Sequence, residues 1–331
     1  MIYTQYGPPE VVKLMVVPKP IPKENQVLIK IFATTVNRTD SGFRSAEYFV
    51  SRLFSGLFKP KNQILGCEFA GVIEEVGAGV RIYEVGDKVF GYDDSKFGAH
   101  AEFMVLDEND NMAILPENLS FEEAAPLTEG SHYALCDLRA AKIKEGDKIL
   151  INGGTGAIGS AAIQLSKYFG ATVTAVCHER HVDLVKSLGA DRVIAYNNTD
   201  FTQLKDKFDV VFDAVGKSSF GRCKPILKEN GIYMSTELGK RSENIFLALA
   251  SRFRKGKKVL FPIPLIKKED VVFLKELAEA GRFKPLIDRK YPLEQVVEAY
   301  KYVETGQKVG NVVVMVATRP RDQTLSRKVC K

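Results

Sequence analysis

Two patterns of hydrophobic spacing divide the chain. From about residue 147 to 236, short β-branched runs alternate with segments of helical period, which is how a parallel sheet with crossover helices is written. KILIN at 148–152 reads as a strand, and AIQLSKYFGA reads as a helix closed by Gly170. The cycle continues with a strand at 172–176, a helix at 181–188 followed by Gly189, and the strand RVIAY. FDVVFDAVG at 208–216 and GIYMS at 231–235 supply two more strands, with a helix at 220–227 between them. The pattern predicts a doubly wound α/β unit in the middle of the chain.

The first 118 residues are written differently. QVLIKIFATTVN and EFAGVIEEVGAGV are β-rich, punctuated by Gly and Pro, and lack the strand–helix alternation, which predicts a separate and mostly β domain. Near the other end, GNVVVMVA is a strand with no helix after it, so the chain is expected to return there to the first sheet. The expected divisions are 1–118, 119–258 and 259–331.

Length and composition add bounds. A chain of 331 residues exceeds one comfortable core, and 45% apolar with 27% charged residues is ordinary for a soluble globular protein. No apolar run reaches membrane-spanning length and the first residues lack a signal-peptide pattern, so the expected location is cytoplasmic. Cys67, Cys136, Cys177, Cys223 and Cys330 are scattered and never form C-x-x-C, which argues for reduced thiols over a disulfide framework or zinc knuckle. Part of the net charge of +6 sits in RFRKGKK (252–258) and in the tail 319–331. No aromatic or apolar face interleaves those charges, so they read as a solvated loop and tail. An RNA or acidic-lipid surface is the lesser alternative, and no nucleic acid partner is expected.

The chemistry concentrates in INGGTGAIGS. Gly154, Gly156 and Gly159 form G-x-G-x-x-G between a strand and a helix, with Thr155, Ala157 and Ile158 completing the turn. In that setting Gly154 permits the tight turn and Gly156 bares the backbone where a pyrophosphate approaches. Gly159 lets helix and strand pack closely, and the anion rests on the helix N-terminus. The second strand then selects the dinucleotide. Val176 is expected to close it, followed by Cys177, His178, Glu179, Arg180 and His181. The basic group favours the 2′-phosphate of NADPH over NADH, unless the strand end is misplaced by two residues and Glu179 grips a ribose.

These residues resemble the medium-chain dehydrogenase/reductase superfamily, and within it the zinc-independent quinone oxidoreductase (zeta-crystallin-like) branch. YTQYGPPEVVKL resembles its opening hairpin, NRTD its N-x-x-D turn, and ILGCEFAGVIEEVGAGV its G-x-E-x-A-G segment. GDKILINGGTGAIGSAAIQLSK resembles the cofactor loop, GADRVIAY the third strand, and GNVVV the closing strand. The loop departs from the branch signature in reading G-T-G-A-I-G. The resemblance implies a Rossmann domain inserted into a mostly β, GroES-like catalytic domain, and a homodimer. Related alcohol dehydrogenases bind catalytic zinc at positions that here read Asn37, Cys67 and Leu127, which cannot supply three ligands, so no zinc is expected.

The resemblance also implies site residues. Asn37 and Asp40 would face the cleft, with turn-making as the competing role. Thr128 would lie under the nicotinamide, with helix capping as the competing role; His132, four residues on, reads from its own chemistry as a proton donor or a packed helical histidine. Tyr196 would contact the adenosine phosphate, and Val215, Gly216, Ser235 and Thr236 sit at strand ends where doubly wound sheets bind ligands. Asn311 in the closing strand joins the cofactor set. The aromatics Phe43, Tyr48, Phe49, Phe54 and Phe58 suit either a core helix or a pocket for a flat acceptor. The reading that results is a metal-free transfer of hydride from NADPH to a quinone or α,β-unsaturated carbonyl. The alternatives are a metal-free alcohol or carbonyl oxidoreductase, and an NADPH-binding sensor or scaffold.

Overall fold

The computed structural model describes residues 1–47, 52, 55–251, 253 and 255–316. In chain order the elements begin with β1 (Gln26–Val36), α1 (Arg38–Ser45), β2 (Glu68–Val76), β3 (Lys88–Tyr92), β4 (Phe103–Asp107) and β5 (Met112–Ile114). There follow α2 (Phe121–Ala124), α3 (Glu129–Ala140), β6 (Lys148–Asn152), α4 (Ala157–Tyr168), β7 (Thr172–Cys177), α5 (Val182–Ser187), β8 (Arg192–Ala195) and β9 (Phe208–Asp213). The described elements end with α6 (Phe220–Cys223), β10 (Leu227–Ser235), α7 (Glu243–Ser251), β11 (Lys258–Leu260), α8 (Lys268–Glu279), β12 (Ile287–Pro292), α9 (Val296–Glu304) and β13 (Asn311–Met315).

Among the described residues these strands make two sheets. One is six-stranded and parallel, in the order β11-β10-β9-β6-β7-β8. Its central strands are apolar on both faces because helices cover both. Ile149 and Ile151 of β6 join Val173, Ala175, Val210 and Phe212 in one cluster, while Leu150 between them joins Val176, Val211 and Tyr233 in another. The order reverses between β6 and β9, and ligands of doubly wound sheets bind at the carboxyl ends of such strands. The other sheet is seven-stranded, in the order β12-β13-β1-β2-β3-β5 with β4 also on β1. β13 does return to it, antiparallel to β1, with Ala33 opposite Met315 and Val36 opposite Val312.

Several boundaries differ from the hydrophobic pattern. α4 starts at Ala157, inside the glycine stretch, because its small residues still propagate a helix once Gly156 takes the N-cap. β7 runs one residue further, to Cys177. The single helix expected at 220–227 is α6 followed by a 3-10 turn, Lys224–Ile226, since Pro225 has no N–H to continue an α-helix. β11 carries the parallel sheet to Leu260, past the expected division at 258. The return segment brings two strands rather than one. β12 (IDRKYP) is charged and ends in Pro, which fits only a sheet edge, and an edge is where it lies.

Candidate active site

The turn after β6 is built from missing side chains. Its left-handed residue is Gly153, with φ +88°, where a Cβ would stand 2.3 Å from Val215 Cγ1. The tight turn is therefore made by Gly153 and not, as expected, by Gly154, whose added Cβ would press on Ile163 Cδ1 at 3.2 Å. At Gly159 an added Cβ would lie 2.1 Å from the Gly153 carbonyl oxygen, so helix and turn touch there as the spacing implied. At Gly156 it would meet nothing nearer than 3.6 Å, and this residue caps α4 with no side chain to accept the first-turn N–H groups. Bare donors at the start of a 12-residue helix, beside open space at a sheet's switch point, fit a dinucleotide pyrophosphate. Thr155 also accepts a bond from Gly310 N (2.7 Å), latching the start of β13 onto the turn. The Asn311 side chain is occupied elsewhere, donating to the Leu286 carbonyl at 3.0 Å.

Two further groups line this end of the sheet. Cys177 closes β7 with a buried thiol whose pKa burial pushes up to about 11, so it offers no charge to a phosphate. Beyond it, His178 Nδ1 accepts from Arg180 N, and Arg180 Nε donates to His181 Nε2 at 2.9 Å. The Glu179 carboxylate accepts from Asn197 Nδ2 at 3.2 Å. Tyr196 is 56% exposed and meets His178 edge-on at 5.6 Å between centroids. At the neighbouring strand ends the buried Asp213 carboxylate accepts from Asn152 Nδ2 (2.9 Å) and Ser218 N (2.7 Å), holding Val215 and Gly216 in place. Ser235 Oγ accepts from Glu237 N, and Thr236 N donates to Asp213 O.

The NRTD turn follows another logic. Asn37 accepts from Asp40 N at 2.9 Å, and its own N–H donates to Asp40 Oδ2, a reciprocal cap on α1. Asp40 also accepts from Gly66 N at 3.1 Å and is fully buried. Neither side chain faces the cleft, and the turn chemistry takes both. Of the other two members, Arg38 is exposed and pairs with Glu237, while Thr39 Oγ1 donates to Glu129 Oε1 (3.1 Å) and lies 3.4 Å from the Tyr133 hydroxyl. Glu129 and Tyr133 open α3, which abuts the glycine turn: a Cβ on Gly130 would lie 2.8 Å from Ala157 C.

Thr128 does not cap α3. Its hydroxyl donates to Glu68 Oε1 at 2.8 Å, and the same carboxylate accepts from Thr128 N, Glu129 N and Thr35 Oγ1. Glu68, brought from β2, thus does the capping. Burial and then the Glu68 charge push the Glu129 carboxyl up to about 7. His132 is buried between the Tyr92 and Tyr133 rings, 4.8 and 4.7 Å away, with Nδ1 unpartnered. Burial lowers it to about 4, so the imidazole is neutral at neutral pH and has no acidic proton to deliver. Lys308 donates to Gly310 O at 2.7 Å, and its charge acts on Glu129.

Thr39, Glu129, Tyr133 and Lys308 were absent from the sequence-based candidates. Thr39 stood inside the quoted NRTD motif, but Glu129 reads as an ordinary first-turn acid and Tyr133 as a helix-face aromatic. Nothing local marks Lys308. Of the aromatic stretch, Phe43 packs on Phe97 at 4.9 Å and Phe58 is exposed, while Tyr48, Phe49 and Phe54 lie outside the described residues, as do the tail and Cys330. A wider groove of 780 Å³ between α4 and residues 281–287 lies at the other end of α4 from Gly156.

The zinc positions can be tested on their donors. Asn37 Nδ2 donates to Cys67 Sγ at 3.0 Å, the buried thiol is pushed well above its usual range by desolvation, and Leu127 is a buried hydrocarbon. An amide, a protonated thiol and an isobutyl group do not fit a catalytic zinc, which takes three protein ligands.

Residues 23–117 match the alcohol dehydrogenase GroES-like domain family, and residues 188–314 match the zinc-binding dehydrogenase family. The chain is 36% identical over 324 residues to 2-methylene-furan-3-one reductase of Solanum lycopersicum, covering 94% of this chain and 77% of that protein. It is 32% identical to the chloroplastic NADPH-dependent alkenal/one oxidoreductase of Arabidopsis thaliana, covering 95% and 78% respectively. Among solved structures, a quinone oxidoreductase from Coxiella burnetii superposes with a TM-score of 0.83 at 30% identity, over 96% of this chain and 98% of that one. With the inserted parallel sheet, the glycine turn and the returning strand in place, the chain belongs to the medium-chain dehydrogenase/reductase superfamily, among its quinone and alkenal/one oxidoreductases.

Proposed function

We propose that this protein reduces α,β-unsaturated carbonyls or quinones with hydride from NADPH, without zinc. The observation that carries the reading is the cleft itself. Hydroxyls of Thr39 and Tyr133 and the carboxyl of Glu129 adjoin the glycine turn, while the zinc positions hold an amide–thiol pair and a leucine. Bound NADPH supplies hydride at its nicotinamide. The α4 N-terminus around Gly156 holds the pyrophosphate, and His178, Arg180 and His181 at the end of β7 meet the 2′-phosphate. Asp213 keeps the strand-end loop shaped for the cofactor.

Without a metal, developing negative charge on the acceptor needs conjugation to spread it or a donor to meet it. Enones and quinones bring the conjugation themselves. A simple alcohol brings none, and its hydroxyl proton would have to leave without a metal to acidify it. The names of two relatives agree: a 2-methylene-furan-3-one carries a C=C conjugated with a carbonyl, as does an alkenal. A homodimer and a cytoplasmic location complete the proposal, to be checked by sedimentation and fractionation. The decisive assay follows NADPH consumption with methyl vinyl ketone and 1,4-benzoquinone beside NADP+ reduction with ethanol. Reduction is expected to exceed alcohol oxidation by at least about a hundredfold in kcat/KM, roughly 2.7 kcal/mol of barrier. Chelator-sensitive alcohol oxidation at a comparable rate defeats the proposal.

A further inference from the structure

We infer that Tyr133, Thr39 and Glu129 form a line that delivers a proton to the α-carbon of an enone, an inference that rests on the hydride-transfer reading above. The three groups come from different parts of the chain. The α1 turn supplies Thr39, and the first two turns of α3 supply Glu129 and Tyr133. They still stand in hydrogen-bond sequence, with Tyr133 Oη 3.4 Å from Thr39 Oγ1 and Thr39 Oγ1 3.1 Å from Glu129 Oε1. Exposure falls along the line: Tyr133 and Thr39 are half-buried, whereas Glu129 is 4% exposed. The outer end thus borders the cleft beside the glycine turn, and the inner end is a carboxyl withdrawn from water.

The groups around Glu129 suit it to hold a proton in reserve. The charges facing it are Glu68 from β2, Asp94 beyond β3 and Lys308 before β13. Burial and the two acids favour the protonated carboxyl and Lys308 opposes them, with the balance near pH 7. The other polar neighbour on α3, His132, is neutral and aims no bonded atom into the line.

The step balances as follows. Hydride from the reduced nicotinamide forms a C–H bond at the β-carbon, and the C=C electron pair moves toward the carbonyl, leaving an enolate. The Tyr133 hydroxyl gives its proton to the α-carbon. When the Glu129 carboxyl is protonated its O–H donates to Thr39 Oγ1, reversing the bond made to the carboxylate, and the Thr39 hydroxyl turns to Tyr133; Thr39 then passes its proton to the tyrosyl oxygen and is refilled from Glu129, which later takes a proton from water. A quinone differs at this point, because its reduced form carries the charge on oxygen and water protonates oxygen without help. Protonating carbon is the slow case, and a positioned acid accelerates it by about 10²–10⁴.

The test compares wild type with Tyr133→Phe, Thr39→Val and Glu129→Gln on methyl vinyl ketone and on 1,4-benzoquinone. Each variant is expected to lose at least about tenfold in kcat on the enone, with KM little changed, and to lose at least about fivefold more on the enone than on the quinone. A second readout needs no turnover. 4-Nitrophenolate, a stable anion resembling the enolate, is titrated into the NADP+ complex by its absorbance. Tyr133→Phe is expected to weaken it about tenfold or more, the scale of one hydrogen bond to a charged group. Equal loss on both substrates, or none on either, overturns the line while leaving the proposed function standing. A wild type that turns over neither substrate overturns both. Should Glu129→Gln fail to fold, Tyr133→Phe and Thr39→Val at the half-exposed end decide the matter.

Discussion

Two helix entrances sit at the ends of two strands, and they treat their backbone donors in opposite ways. Before α4 the chain runs Gly153 to Gly156 and offers no side chain to the first-turn N–H groups. Before α1 it runs Asn37 to Asp40, and both side chains turn back to bind the backbone, Asn37 accepting from Asp40 N and Asp40 accepting from Asn37 N and Gly66 N. An uncapped helix start is a site for a foreign anion, and a capped one is finished structure. The difference separates what holds the cofactor from what only shapes the cleft wall. It also leaves Thr39, whose hydroxyl takes no part in the cap and bonds Glu129 instead, as the residue of functional interest in the second turn.

The comparison breaks most visibly through glycine. Replacing Gly159 with Ala puts a Cβ 2.1 Å from a backbone oxygen, which no rotamer can relieve. The expected cost is about 3 kcal/mol of folding stability, by urea denaturation, together with loss of NADPH binding. Gly156→Ser is the opposite case. Its new side chain has room and can cap α4, so stability is expected to hold or rise by a few tenths of a kcal/mol. NADPH affinity should fall at least about tenfold as the hydroxyl takes the anion's place. If Gly156→Ser binds NADPH normally, the phosphate does not rest on this helix.

A more selective effect is expected at the neighbouring strand end of the same sheet. Arg180→Ala should weaken NADPH by about 1.5 to 3 kcal/mol and leave NADH nearly unchanged, the signature of a charge-assisted bond to a 2′-phosphate. Isothermal titration with both cofactors decides it. Tighter NADH binding by the wild type would instead assign Glu179 to a ribose, against its present bond to Asn197.

How much of this was written locally differs between the two halves. The parallel sheet is a chain of consecutive units, so each strand's apolar run and each closing glycine appears within a dozen residues. Strand β6 came out at its residues and α5 close to them. What slipped was the kind of detail that the local sequence does not mark: Gly153 rather than Gly154 takes the left-handed turn, with Val215 packed against it. The cleft is the reverse. Its polar line joins residue 39 to 129 and 133, with Glu68 and Lys308 closing in from β2 and the last loop. No spacing rule links residues 90 positions apart, so a sequence reading could reach only the NRTD motif, and the members it chose, Asn37 and Asp40, proved to be occupied with capping.

The smallest and sharpest test stays within the NRTD turn. Asn37→Ala removes the acceptor for Asp40 N and the donor to Cys67 Sγ, but takes nothing from the cleft. The expected cost is that of a lost N-cap, about 1 kcal/mol in a range of 0.5–2, read by urea denaturation. Enone turnover by the folded protein should stay within about threefold, since a cap supplies far less than the 10²–10⁴ expected of an acid in contact with the substrate. Thr39→Val, two residues on, has the converse profile: little change in stability and a large fall in enone kcat. The pair is informative because both residues share one turn of one helix, so a general distortion would move both readouts together. If Asn37→Ala abolishes turnover while its stability is unchanged, the amide rather than Thr39 meets the substrate, and α1 must open further in solution than its cap suggests.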